Sequence, residues 1–475
     1  MGESNEAKRV TQIILDAARQ ARQESADVKL EPAFAQKTIQ WPVNCTVGPG
    51  LEGAIACESK VGYVHGAKGE LIYRGYDIYE LCAHSNFEEV TYLLIHGSLP
   101  TASQLNEFRV ELRRYLHIPN TIGTLMNFRL EDMNTMAALR LGTGLMRQEY
   151  TYIDQADYKP TTGELISADE DSIAMETMPR GEAEAIYRFQ ELKKKTTAPT
   201  GAAESKHLPV GLRTAYHLIS GIATVNGAIA RIRAKRLPLE PHPELSHAGN
   251  VIYMMTGRIP TDLEARILDV ALILHADHGM NASTFAAMLV SSTLSDFYSA
   301  VSSGIAALNG PLHGGANEKV MDMLAEIDGP ENVKPWMEKA RVEKKKVMGF
   351  GHRVYKAYDP RARVLGPLAE YLVEKACSPQ MTRTLETAKA LEHEVITGFG
   401  AEKKIFPNVD FYSGIVYSCL GFQPEFFTPL FAVSRVSGWM ARTLEYQQNN
   451  RIFRPRAIYT GELNKAYTSI DERKS

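Results

Sequence analysis

Apolar residues recur at spacings of three and four over residues 86–97, 262–275, 284–300, 317–327, 361–377 and 430–446. That spacing is the helical period, and it constrains the chain more than any other feature: a mainly α fold is expected. β-Branched and aromatic residues punctuated by glycine cluster only near 45–75. There His65-Gly66-Ala67-Lys68-Gly69 is suited to closing a short β-hairpin near the N-terminus. Strand and helix patterns do not alternate, so a doubly wound α/β fold is disfavoured. No internal repeat is evident.

The chain has 475 residues, 44% hydrophobic and 23% charged, with a formal net charge of −3. At about 100–200 residues per domain, this size predicts two or three domains with ample surface to bury. The small negative charge provides no general attraction for nucleic acid or an anionic membrane. An anionic small molecule must therefore be met by local cations. No apolar run reaches the roughly 18 residues of a membrane span.

Cys45, Cys57, Cys82, Cys377 and Cys419 are odd in number, scattered and without a C-x-x-C pair. They predict neither a disulfide scaffold nor a cysteine-rich zinc site, and reduced thiols in a cytoplasmic setting are expected. Residues 6–22 have the pattern of an amphipathic helix. Glu3, Glu6, Asp16, Glu24 and Asp27 are too acidic for a transit peptide, so a surface helix is expected. Residues 153–210 are rich in Thr, Ser, Gly, Pro and charge, and are read as a solvated insertion.

Four segments concentrate chemistry. In LILHADHGMNAST, His275 and His278 share a helix face. A metal would need a third ligand that the segment does not clearly offer, so no metal is expected. His275 reads as a buried structural histidine and His278 as a substrate-facing donor. In LNGPLHGGANEKV, Gly310-Pro311 ends one helix and Asn317-Glu318 suits the start of another. His313 lies in the turn between them, before a positive helix end that keeps an imidazole neutral. A neutral donor there can stabilise a developing enolate.

In VMGFGHRVYKAYDPRARVL, Gly349 and Gly351 bracket Phe350 and precede His352. Asp359-Pro360 is a strong helix start, and Arg361 falls in its first turn, a good setting for a carboxylate or phosphate. In IFPNVDFYSG, Asp410 follows a Pro-Asn turn. It reads either as a helix N-cap or as a base made stronger by apolar surroundings. Arg435 interrupts an apolar helix and needs a carboxylate, internal or from a ligand.

HADHGMNAST, GPLHGGAN, MGFGHRVYKAYDPRA, PNVDFYSG and FRPRAIYTG occur in one order. This set resembles the citrate synthase family, in the bacterial-type branch that includes 2-methylcitrate synthases. The resemblance spans about 45–150 and 211–465. It implies a helical homodimer with a large domain (1–315 and 416–475) and a small one (316–415). Further assembly of dimers is left open.

By the resemblance, His313, His352 and Asp410 are catalytic. His278, Arg361 and Arg435 bind oxaloacetate, together with Arg454 reaching across the dimer. The backbone of Val347, Met348, Gly349, Phe350 and Gly351 borders CoA, and Lys356 meets a phosphate. Acetyl-CoA is then a substrate and no cofactor is implied. The alternatives are a 2-methylcitrate synthase using propionyl-CoA, a non-catalytic CoA-binding paralogue, or a citryl-CoA lyase module. Intact His313, His352 and Asp410 disfavour the paralogue. The lyase reading lacks the preceding ligase domains.

Overall fold

The computed structural model describes residues 5–26, 28, 41–150, 209–376, 378–462 and 464–473. Residues 153–208 of the expected insertion lie outside these, as do Glu3, Asp27 and Cys377. The order begins with α1 (Asn5–Glu24), then β1 (Gly62–His65), β2 (Glu70–Tyr73) and β3 (Tyr76–Asp77). There follow α2 (Ile78–His84), α3 (Phe87–His96), α4 (Ala102–Leu116), α5 (Pro119–Leu125) and α6 (Thr135–Leu145). After the undescribed stretch come α7 (Val210–Arg233), α8 (His247–Thr256), α9 (Asp262–His275), α10 (Ala282–Ser292) and α11 (Phe297–Leu308). The chain continues with α12 (Ala316–Ile327), α13 (Val333–Val342), α14 (Pro360–Ala376), α15 (Pro379–Val395), α16 (Val409–Cys419) and α17 (Phe427–Gln447).

The fold is mainly helical, and its described strands form one small antiparallel sheet of order β1-β2-β3. His65 pairs with Glu70, so the hairpin closes where the glycine turn predicts. The expected helix over 284–300 is two helices. Leu294 takes a positive φ of 63° in the break. Asp296 then caps α11 by accepting the Ser299 N–H. Apolar spacing carries across that break, which hides it from a periodicity reading.

The core forms around helices that are buried on every side. Every residue from Thr214 to Ala230 of α7 is buried, as is each from Ile267 to His275 of α9. α17 packs against both. Such all-round burial is the signature of a central helix. At Gly438 of α17, an added Cβ would sit 2.2 Å from the Ala276 carbonyl oxygen, so only glycine lets α17 approach the turn after α9. α1 buries the stripe Val10, Ile13, Ile14, Ala17 and Ala18, spaced as an amphipathic helix requires.

α12, α14, α15 and α16 pack on one another, and α14 also meets α1. An ion pair between Arg363 and Glu24 ties those last two. Among the described residues, no helix is long and apolar enough to cross a membrane. Cys45, Cys57 and Cys82 are free thiols. Cys419 is disulfide-bonded, so the expectation of uniformly reduced thiols does not hold there.

Candidate active site

The turn carrying His352 is built from its glycines. Gly349 and Gly351 adopt φ of 77° and 79°, a region costly for residues with a Cβ. This turn is laced to the stretch before α16. The Gly351 N–H donates to the Phe406 carbonyl at 2.9 Å, and the Asn408 N–H to that of Gly349 at 2.8 Å. Phe350 packs against Phe411 of α16, with ring centroids 4.6 Å apart.

His352 Nδ1 accepts the N–H groups of Val354 and Tyr355 at 3.0 and 3.1 Å. A nitrogen accepting such bonds carries no proton, so the proton sits on Nε2. Burial, with Arg361 adding to it, lowers the His352 pKa to about 4. At neutral pH His352 is thus an uncharged Nε2–H donor.

His278 is buried with its ring centroid 5.1 Å from that of His352, and its Nε2 has no partner among the described residues. Burial, then Arg361 and His352, hold its pKa well below the ordinary value. The preceding residue, Asp277, is gripped by Arg442: Nε and Nη2 each donate to one carboxylate oxygen at 2.7 Å. His275 donates from Nδ1 to the Ala271 carbonyl and packs edge-on against Phe431. It is the buried core histidine the sequence predicts.

His313 Nε2 accepts the backbone N–H of Ser283, in the first turn of α10, at 3.2 Å. Its proton therefore sits on Nδ1. Burial, with help from Arg435, lowers its pKa to about 4. The neutral state is as expected, but the causes differ: burial leads, and the helix start bonded to the ring is that of α10.

Asp410 is not the helix cap. Asn408 caps α16, accepting the Asp410 N–H at 3.0 Å, and Asp410 is the second helical residue. Its carboxylate makes no ion pair among the described residues. Burial raises its pKa to about 6, against the opposing pull of Arg361.

The two guanidiniums differ. Arg361, 2% exposed, is held by Asp359 through Nε at 3.0 Å and Nη2 at 2.7 Å. Its charge is thus met inside the chain, which the sequence reading did not foresee. Arg435, 1% exposed, donates from Nε to the His275 carbonyl at 2.6 Å and lies 4.6 Å over the Phe431 ring. Its Nη2 is buried with no partner among the described residues, and burial lowers its pKa to about 10. A buried cation without a carboxylate is costly and favours an anionic ligand.

Arg361 acts electrostatically on His278, His352 and Asp410, and Arg435 on His278, His313 and Asp410. These six form one neighbourhood. The two other predicted side chains lie on the surface. Lys356 is exposed, with its N–H on the Gly66 carbonyl, and its charge adds to the lowering of the His352 pKa. Arg454 is exposed beyond α17, and among the described residues no ion pair or hydrogen bond ties it to the cluster. Val347 and Met348 are partly buried at the edge of the glycine turn.

Sequence reasoning missed Tyr355, whose buried ring lies 4.9 Å from His352 and 5.3 Å from His278 and whose hydroxyl has no partner among the described residues. Nothing in its local sequence marks it. It also missed Ser283 and Asn408, although the Pro-Asn turn is a helix-start signal. Among the described residues, no three His, Cys, Asp or Glu side chains are grouped to hold a metal.

Two neutral donors, one basic carboxylate and a buried cation short of a partner define a class: a helical protein equipped to withdraw a proton beside a carbonyl and bind a carboxylate. The chain belongs to the citrate synthase family. The family profile described as citrate synthase, C-terminal domain, matches residues 50–200 and 183–456. A citrate synthase of Deinococcus radiodurans is 38% identical, covering 90% of this chain and 99% of its own length. The citrate synthase structure from Pyrobaculum aerophilum matches with a TM-score of 0.73 at 35% identity, over 92% of this chain and all of that one. A Thermoplasma acidophilum citrate synthase, solved as a ternary complex with carboxymethyl coenzyme A and oxaloacetate, gives 0.74 at 30% identity, over 90% and 100%.

Proposed function

We propose that this chain is a citrate synthase, condensing acetyl-CoA with oxaloacetate and water to give citrate and CoA. One observation carries the reading. Among the described residues Asp410 is an unpaired carboxylate of raised pKa, in a neighbourhood whose histidines are neutral donors. Asp410 takes a proton from the acetyl methyl group. His313 Nδ1–H donates to the thioester oxygen and stabilises the enol or enolate. His352 Nε2–H polarises the oxaloacetate ketone and protonates the oxygen as the carbon–carbon bond forms. Water then cleaves the citryl thioester.

Arg435, with the free edge of Arg361 and with His278, meets the two carboxylates of oxaloacetate. The turn from Val347 to Gly351 lies against CoA, with Lys356 toward its phosphates. The route uses no metal or prosthetic group, since histidines and guanidiniums supply the electrophilic help.

The same reading takes about residues 316–415 as a small domain closing on the large one, 1–315 and 416–475. The chain acts as a homodimer in the cytoplasm, with Arg454 completing the partner's site. The support is the exposed tail: Ile452, Ile458, Tyr459 and Tyr467 are apolar or aromatic and uncovered.

A thiol-release assay with oxaloacetate tests the reaction, comparing acetyl-CoA with propionyl-CoA. Release with acetyl-CoA preferred is expected. Release with neither refutes the synthase, and a propionyl preference makes it a 2-methylcitrate synthase. In the same assay, mixed Asp410→Asn and Arg454→Ala chains should regain activity that neither has alone. No recovery after subunit exchange removes the shared site. Fractionation of cells tests the compartment.

A further inference from the structure

The Asn408 side chain hydrogen-bonds both to the Asp410 helix and to the His352 turn. Its Oδ1 accepts the Asp410 N–H at 3.0 Å. Its Nδ2 donates to the Gly351 carbonyl at 3.0 Å. Its own N–H donates to the Gly349 carbonyl at 2.8 Å, one of two backbone ties between the segments. We propose that Asn408 is a positioning residue, holding the Asp410 carboxylate and the His352 donor at one fixed separation. The inference rests on the function proposed above.

A helix cap needs only an acceptor, and Ser, Thr, Asp or Asn supplies it. The second bond is the telling one. It requires a donor long enough to reach Gly351, and among the four usual caps only asparagine has both parts. The bond also falls where the backbone is least constrained. Gly351 lies in the left-handed region and directly precedes His352. With its carbonyl free, that peptide can turn, and the imidazole turns with it. His352 takes its tautomer from N–H groups on its own C-terminal side, so those bonds fix the proton but not the distance to Asp410.

In the proposed reaction Asp410 makes the nucleophilic carbon and His352 activates the carbon it attacks. Their relative placement sets the attack geometry. A misplacement near 1 Å in such a pair costs about 10²-fold in rate.

The full-length wild type is compared with Asn408→Ala and Asn408→Ser by thiol release and thermal unfolding. Serine keeps the cap and loses the bond to Gly351. Asn408→Ser should unfold near the wild-type temperature, yet lose roughly 10–10²-fold in kcat. KM for oxaloacetate should stay within about two-fold, because Arg435 and His278 hold that substrate. Asn408→Ala should lose as much kcat and also unfold earlier.

Wild-type kcat in Asn408→Ser overturns the positioning role and leaves a simple cap. So does a kcat loss that serine fully rescues. Should Asn408→Ala not fold, the serine variant alone decides. A wild type that releases no CoA overturns the proposed function, and the inference with it. An active wild type with an unimpaired serine variant overturns the inference alone.

Discussion

Asp277 and Asp410 both belong to the neighbourhood of the histidine cluster, and burial pushes both toward the protonated form. They end in opposite states. Asp277, in the turn after α9, is clasped by both arms of Arg442, and its pKa lies below the ordinary value despite burial. Asp410, at the start of α16, has no cation in hydrogen-bond contact among the described residues, and burial wins, lifting it to about 6. Arg361 and Arg435 act on Asp410 only from a distance. The contact, more than the burial, decides the outcome. A carboxylate locked to arginine is a brace, whereas one left unpaired keeps basicity that a substrate proton can use.

The sharpest test of that contrast is Asp410→Asn. It removes the base while keeping size and helix position. Thiol release should fall by about 10²–10⁴-fold, the range for loss of a general base. The wild-type pH profile should agree in sign. Asp410 must be ionised to act, so kcat/KM should decline as pH falls through about 6. The histidines change charge only near pH 4 and do not add to that limb. Near-normal turnover in the variant, or a flat profile between pH 5 and 7, breaks the assignment.

Asp277→Asn attacks the other side. It leaves the Arg442 guanidinium buried without its counter-charge, and breaking such a pair costs about 3–5 kcal/mol. A lower urea midpoint at unchanged slope would record it. Activity should fall as well, because His278 follows directly in the chain. Stability within experimental error of wild type would mean that the brace is not one.

Much of the fold could be read from spacing. α3, α9, α12, α14 and α17 fall where apolar residues repeat, and Thr261 with Glu264 forms a capping box at the start of α9. The unpaired state of Asp410 was harder to read. Asn408 and Asp410 are both good caps, and periodicity cannot choose between them, but only the uncapped reading leaves the carboxylate free. Arg361 read as a cation awaiting an anion, although its partner, Asp359, is two residues away. Local sequence cannot say whether that short loop folds back. Arg442 and Asp277 are 165 residues apart and meet only because α17 crosses the turn after α9. The motif residues were legible. Their pairing, which decides what each does, is tertiary.

The smallest expected effect has the most diagnostic sign. A carboxyl with a folded pKa above its unfolded value binds protons more readily in the native state. Its contribution to stability is present at low pH and lost as pH rises from about 4 through about 6. Wild type should therefore pay nothing for Asp410 at pH 4 and carry a penalty at pH 8. One pKa unit corresponds to about 1.4 kcal/mol, and partial exposure of the side chain trims the total to roughly 1–3 kcal/mol. Asparagine cannot ionise, so Asp410→Asn should match wild type near pH 4 and exceed its stability by that amount at pH 8. Asp277 has the opposite sign: its pair supports the fold above pH 4 and fails below, so Asp277→Asn should lose most at neutral pH. Urea titrations of both variants at pH 4.5 and 8 would show the divergence. An Asp410→Asn protein less stable than wild type at pH 8 would mean that its carboxylate is paired in solution, and the contrast between the two aspartates would disappear.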